Sequence, residues 1–120
     1  MDSISVFKSL KHIMQPYEEK LVCTINESDN YHLDTDFKME NNKYLFFGAI
    51  KINKHYVSYH LMPVYVNPAM LDGISDRLKK RMQGKSCFNF KVHDDDLFVE
   101  LAELTDIAFQ YYSEEGYINT

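Results

Sequence analysis

Tyr44-Leu45-Phe46-Phe47-Gly48-Ala49-Ile50-Lys51-Ile52 and His55-Tyr56-Val57-Ser58-Tyr59-His60-Leu61-Met62-Pro63-Val64-Tyr65-Val66 flank a polar pair, Asn53-Lys54. Both runs are rich in the β-branched and aromatic residues that suit a pleated surface. The pair between them predicts an antiparallel hairpin with a two-residue turn, since Asn accepts the left-handed conformation such a turn requires. A register follows: Ile52 opposes His55, Ile50 opposes Val57, Gly48 opposes Tyr59 and Phe46 opposes Leu61. Phe46, Ile50, Val57 and Leu61 then form the core face, with Tyr59 covering the gap left by Gly48. The other face sets Phe47 across from His60, Ala49 across from Ser58 and Lys51 across from Tyr56.

Outward from the hairpin, the period of the apolar residues changes. Val6, Phe7, Leu10, Ile13, Met14 and Tyr17 recur at steps of three and four, which predicts an amphipathic helix from about Ser3 to Gln15, ended or kinked by Pro16. Leu21–Ile25 reads as a short strand, and Tyr31–Phe37 as an edge strand. Asn67-Pro68 opens a helical crossover in which Ser75 offers a second cap and Gly84 a stop. Ser86–Val92 alternates, with Phe88, Phe90 and Val92 on one side and Cys87, Asn89 and Lys91 on the other. Leu97, Leu101, Leu104, Ala108 and Tyr112 mark the buried stripe of a helix from Asp95 to Glu115. The expected fold is α+β: an antiparallel sheet centred on the long hairpin, packed against N- and C-terminal amphipathic helices, with a short helical crossover. At 120 residues it is read as a single domain, 1–120.

Charge and cysteine content exclude some function classes. The net charge of −5 argues against indiscriminate binding to nucleic acid or to an anionic membrane, both of which need a positive field. Two cysteines, Cys23 and Cys87, are too few for a disulfide scaffold. Met1-Asp2-Ser3-Ile4-Ser5-Val6-Phe7 has neither the basic nor the long apolar part of a signal peptide, and no apolar run approaches the ~20 residues of a membrane span. The cytoplasm is the expected compartment.

Three sets of residues could carry chemistry. The second face of the hairpin, joined by the Ser86–Val92 strand, gathers Phe47, Tyr56, Ser58, His60 and Asn89, with Lys85 just before that strand. Aromatic walls with a few polar groups are how small-ligand sites are built. Arg77, Lys79, Lys80, Arg81 and Lys85 form a basic cluster suited to an anion, though the glycine spacing of a phosphate-binding loop is missing. Asp96, Glu100 and Glu103 share a helical ridge at i, i+4 and i+7, so their oxygens could hold a hard cation. Cys87 and His60 carry no hydrolase signature, and no catalytic residue is assigned. The expected function is a non-enzymatic small binding protein that takes a small ligand or anion at the polar-aromatic face, or iron through surface carboxylates. The alternative is a protein-interaction module or homodimer using that same face.

Phe47-Gly48, Val57-Ser58-Tyr59-His60 and Gly84-Lys85-Ser86-Cys87-Phe88-Asn89-Phe90 together match a motif series. With the C-terminal amphipathic helix, this series resembles the YdhG-like family of uncharacterised bacterial domains, from about Tyr44 to Tyr112. Some members of that family are described as frataxin-like iron chaperones. The resemblance implies the same α+β fold and directs the iron reading to Asp96, Glu100 and Glu103.

Overall fold

The computed structural model describes residues 2–119. Helix α1, Ser3–Met14, is capped by the Asp2 carboxylate, which accepts from Ser5 N–H at 3.1 Å. Pro16 sits in the first turn of a 3₁₀ segment, Gln15–Lys20, that ends α1. Four strands follow: β1 Val22–Asn26, β2 Asn30–Lys38, β3 Tyr44–Ile52 and β4 Val57–Leu61. The crossover consists of α2, Met62–Val66, a 3₁₀ segment, Pro68–Gly73, and α3, Asp76–Lys79, which is capped by Ser75. Strand β5, Cys87–Phe90, leads into α4, Asp95–Glu114, capped by Asp94. The five strands lie in sequence order and pair antiparallel throughout, so the class is α+β.

The hairpin forms, but its turn is longer than expected. Pairing closes at Ile52↔Val57, and Asn53–Tyr56 is a four-residue connection held by Asn53 N–H donating to the Tyr56 carbonyl at 2.8 Å. The Asn53 amide also donates to the Lys51 carbonyl and to Ser58 Oγ, both at 3.2 Å. These bonds close the loop with Asn53 outside the left-handed region. The register therefore slides by two residues: Ile50 opposes Tyr59, and Gly48 opposes Leu61. An even slip preserves which side chain faces which way, so Ile50, Val57 and Leu61 remain in the core.

Phe46 and Phe47 exchange the places expected of them. The β2–β3 ladder runs Leu33↔Gly48 and then Asp34↔Phe46, leaving Phe47 as the extra residue of a β-bulge. The bulge turns Phe47 into the core, where it meets Tyr17, Phe109 and Tyr112. Phe46 is turned onto the opposite face. The reason for Gly48 also differs: a Cβ there would meet the Met14 side chain and lie 2.8 Å from the His60 carbonyl oxygen. Close approach of α1 and of strand β4 requires the glycine, and Tyr59 does not cover it.

Two further boundaries depart from expectation. The second arm of the hairpin stops at Leu61, because Pro63 has no N–H for the ladder and suits the first turn of α2. The strand read as an edge, β2, is interior, and β1 and β5 are the edges.

All four helices bury their apolar residues in one core with Tyr31, Leu33, Ile50, Tyr59, Phe88 and Phe90. They cover one face of the sheet. On the other face His32, Ala49, Ser58, His60, Cys87 and Asn89 are half-exposed.

Candidate ligand site at the basic edge of the sheet

Cross-strand pairing orders the open face into rows. Ile25, His32, Ala49, His60 and Cys87 form one row, and Asn30, Lys51, Ser58 and Asn89 the next. Phe46 lies between two imidazoles: His32 stacks on it at 4.6 Å and His60 meets it edge-on at 5.5 Å. His32 Nε2 is 2.9 Å from Asp34 Oδ1, and His60 Nε2 is 2.9 Å from Ser86 Oγ. Burial, with His32 alongside, holds the His60 imidazole below its ordinary value and so favours the neutral ring.

The residues expected to gather on this face do not form one site. Phe47 is in the core, for the reason given above. Ser58 Oγ is engaged by the Asn53 amide and by the Lys51 carbonyl, and His60 by Ser86. Lys85 lies over the Tyr65 ring, 5.9 Å from its centroid. Cys87 gives thiolate chemistry no support either. Its thiol is pushed up by burial, and its polar contact is Asn89, 3.5 Å away, rather than a histidine.

Tyr56 and Asn89 belong to a different arrangement. After α3 the chain turns back along the outer side of β5, where Asn89 N–H donates to the Arg81 carbonyl at 2.8 Å and Gln83 N–H to the Cys87 carbonyl at 2.9 Å. Gly84, at φ 78°, makes the return into β5 in a conformation that side-chain-bearing residues resist. This pairing fixes Lys80 and Arg81 beside Lys91, just past the end of the strand. The three cations line two clefts. One, of ≈ 280 Å³, also takes in Arg77, Asp94, Val92, Phe90 and Leu97. The other, of ≈ 320 Å³, takes in Tyr56, Met82, Gln83 and Asn89. Arg77 is tied to Asp94 by a 2.6 Å ion pair, and the Asn89 amide donates to Gln83 Oε1 at 2.6 Å.

Charge is strongly segregated along this part of the sequence, although Asp94 of the acidic stretch lines the first cleft. Residues 77–91 hold six Lys and Arg and no carboxylate, while residues 92–120 hold eight carboxylates and no Lys or Arg. The basic cluster is visible in the sequence, but its junction with Tyr56 and Asn89 is not. That junction depends on the segment 81–83 lying against β5, and single side chains give no sign of it.

The members of the carboxylate ridge are not drawn together. Glu100 accepts from Ser75 N–H at 2.5 Å and from Ser75 Oγ at 2.7 Å, which ties α4 to the cap of α3. Asp96 and Glu103 stand exposed two helical turns apart. Among the described residues, no group of three or more His, Cys, Asp or Glu is placed to hold a metal ion. The described geometry therefore lends no support to iron ligation through Asp96, Glu100 and Glu103.

Comparison with protein-family models, with curated proteins and with solved structures finds no match to this chain. The YdhG-like resemblance rests on its motifs alone. Among the described residues, no helix is long and apolar enough to cross a membrane.

Proposed function

We propose that this chain is a non-enzymatic binding protein that takes a small oxyanion-bearing ligand in the paired clefts at the β5 edge. The observation that carries the reading is the convergence of Lys80, Arg81 and Lys91 on both clefts, with Arg77 at one of them, in a chain whose net charge is −5. Guanidinium groups match the geometry of phosphate and carboxylate, and ammonium groups add point charges. The second cleft is at the lower end of the volumes that hold small ligands, and the first is just below it. Asp94 offsets Arg77 in the first cleft, whereas none of the described residues lining the second is acidic, and carboxylates beyond a Debye length of ~8 Å are largely screened.

Titration with inorganic phosphate and pyrophosphate, followed by backbone amide chemical shifts, tests this. Shifts are expected around Lys80, Arg81, Asn89 and Lys91, and they should weaken as salt is added. The double substitution Lys80→Ala, Arg81→Ala should remove them while leaving the melting curve in place. A spectrum unchanged by millimolar pyrophosphate at low salt would sink the reading.

The open sheet face favours a second reading, an interface between two copies of this chain. The bulge places Phe46 on that face, and Lys51 and Asp34 lie toward opposite ends of it. A two-fold axis running across the strands would therefore set unlike charges opposite one another. Sedimentation equilibrium is expected to show dimers that Phe46→Ser weakens. A protein that is monomeric at every concentration rules this interface out.

A further inference from the structure

Charge alone makes the clefts receptive to any small oxyanion, but their walls are not alike. Beside Lys80, Arg81 and Lys91, the second cleft has the ring of Tyr56 and the Asn89–Gln83 amide pair. Tyr56 is half-buried, so part of the side chain stays accessible at the cleft. Its backbone is held by the bond from Asn53 N–H, so the ring sits on a closed turn. The two amides are bonded to each other, and this fixes the plane in which they present their remaining donor and acceptor capacity.

A bare phosphate would use the cations and leave Tyr56 and the amides without a role. We infer that the ligand is a phosphorylated compound with a planar heterocycle, of the nucleotide class. Its phosphate lies among Lys80, Arg81 and Lys91, and its ring lies against Tyr56, with an edge toward the Asn89–Gln83 pair. This inference rests on the oxyanion reading above and adds the identity of the second group. Each part has an ordinary physical basis. Phosphate is held by charge-assisted hydrogen bonds. Aromatic side chains stack on nucleobases, which all have a π-face. Amide side chains match the donor and acceptor pattern of a base edge. The sharing of all three cations by both clefts also leaves room for a second phosphate toward Arg77.

The deciding experiment compares three probes, inorganic phosphate, adenosine monophosphate and adenosine, by calorimetry and amide shifts on the intact chain and on Tyr56→Leu. Adenosine monophosphate is expected to bind about ten-fold more tightly than phosphate, a gain of the size that stacking on an aromatic side chain provides. Adenosine alone should bind most weakly. Tyr56→Leu should bring adenosine monophosphate down to the phosphate level and leave phosphate binding unchanged. That second result shows that the variant is folded and its cations are in place. If phosphate and adenosine monophosphate bind equally, and Tyr56→Leu changes neither, the heterocycle assignment is overturned and the oxyanion reading stands. If neither probe binds, both fall. If Tyr56→Leu weakens phosphate as much as adenosine monophosphate, the tyrosine serves the anion site and the ring assignment is again overturned.

Discussion

The Tyr59 and Thr105 hydroxyls lie 2.7 Å apart in the core and join the sheet to α4. Thr105 Oγ1 also donates to the Leu101 carbonyl at 2.8 Å. A hydroxyl has one proton, so Tyr59 must donate and Thr105 accept. The two deletions are therefore unequal. Tyr59→Phe removes a donor from an oxygen whose own proton remains bonded, at a cost of about 1 kcal/mol. Thr105→Val strands a buried phenol and costs about 1–3 kcal/mol. The double variant should be more stable than Thr105→Val alone. Urea denaturation of all four proteins measures this, and simple additivity would mean that the bond contributes nothing.

Gly48 is where α1 comes closest to the sheet. Gly48→Ala is expected to lower stability by about 1–3 kcal/mol through overpacking. Met14→Ala costs about 2–5 kcal/mol by itself, because Met14 is fully buried; in its background the added cost of Gly48→Ala should shrink but not vanish, because the second obstacle is the His60 carbonyl and belongs to the backbone. Denaturant midpoints of the single and double variants give the coupling directly. If Gly48→Ala costs nothing in the Met14→Ala background, Met14 is the only obstacle.

His60 makes stability depend on pH. Its proton affinity is lowered in the folded state by burial and by His32, so the unfolded chain binds that proton more readily. Its contribution is whole above the ordinary histidine range and is lost as pH falls through that range toward the lowered folded value. The denaturation midpoint should drop between about pH 7 and pH 5. In His60→Gln, which keeps an amide for Ser86, the drop should be smaller. Equal drops would assign the effect to other groups.

Asp94 has two duties that one substitution separates. Its carboxylate caps α4 by accepting from Leu97 N–H at 3.1 Å, and it also neutralises Arg77. Asn is as good a cap as Asp but carries no charge. Asp94→Asn should therefore leave the melting temperature within a few degrees of the parent and raise affinity for pyrophosphate several-fold. Unchanged affinity in this variant would place the anion away from Arg77.

Much of the fold is legible from periodicity. The stripe of α4 and the alternation of β5 lie where their apolar spacing puts them, because burial of one face is a property of the residues themselves. Pro63 marks the end of β4 in plain view, although the β-rich run around it invites a longer strand. The turn and the bulge are another matter. Asn53 reads equally as half of a two-residue turn or as the closing residue of a longer loop, and only the bonds it makes choose between them. Phe46 and Phe47 are the same residue type side by side, so their sequence cannot tell which one faces the core. The candidate site is half-legible for a similar reason. Its cations form a visible run, whereas Tyr56 and Asn89 join them only through pairing between distant segments.

The strip of chain at 81–83 has a consequence for how the protein behaves in a crowd. By bonding along β5 it occupies part of that edge, and among the described residues β1 is left as the open side of the sheet. Growth by strand addition needs two open sides, one to receive and one to offer the next. Two molecules joined through β1 would have none left. Strand-by-strand growth of the folded chain is thus hindered at this edge, and the residues that hinder it are the ones that set Arg81 beside Lys91.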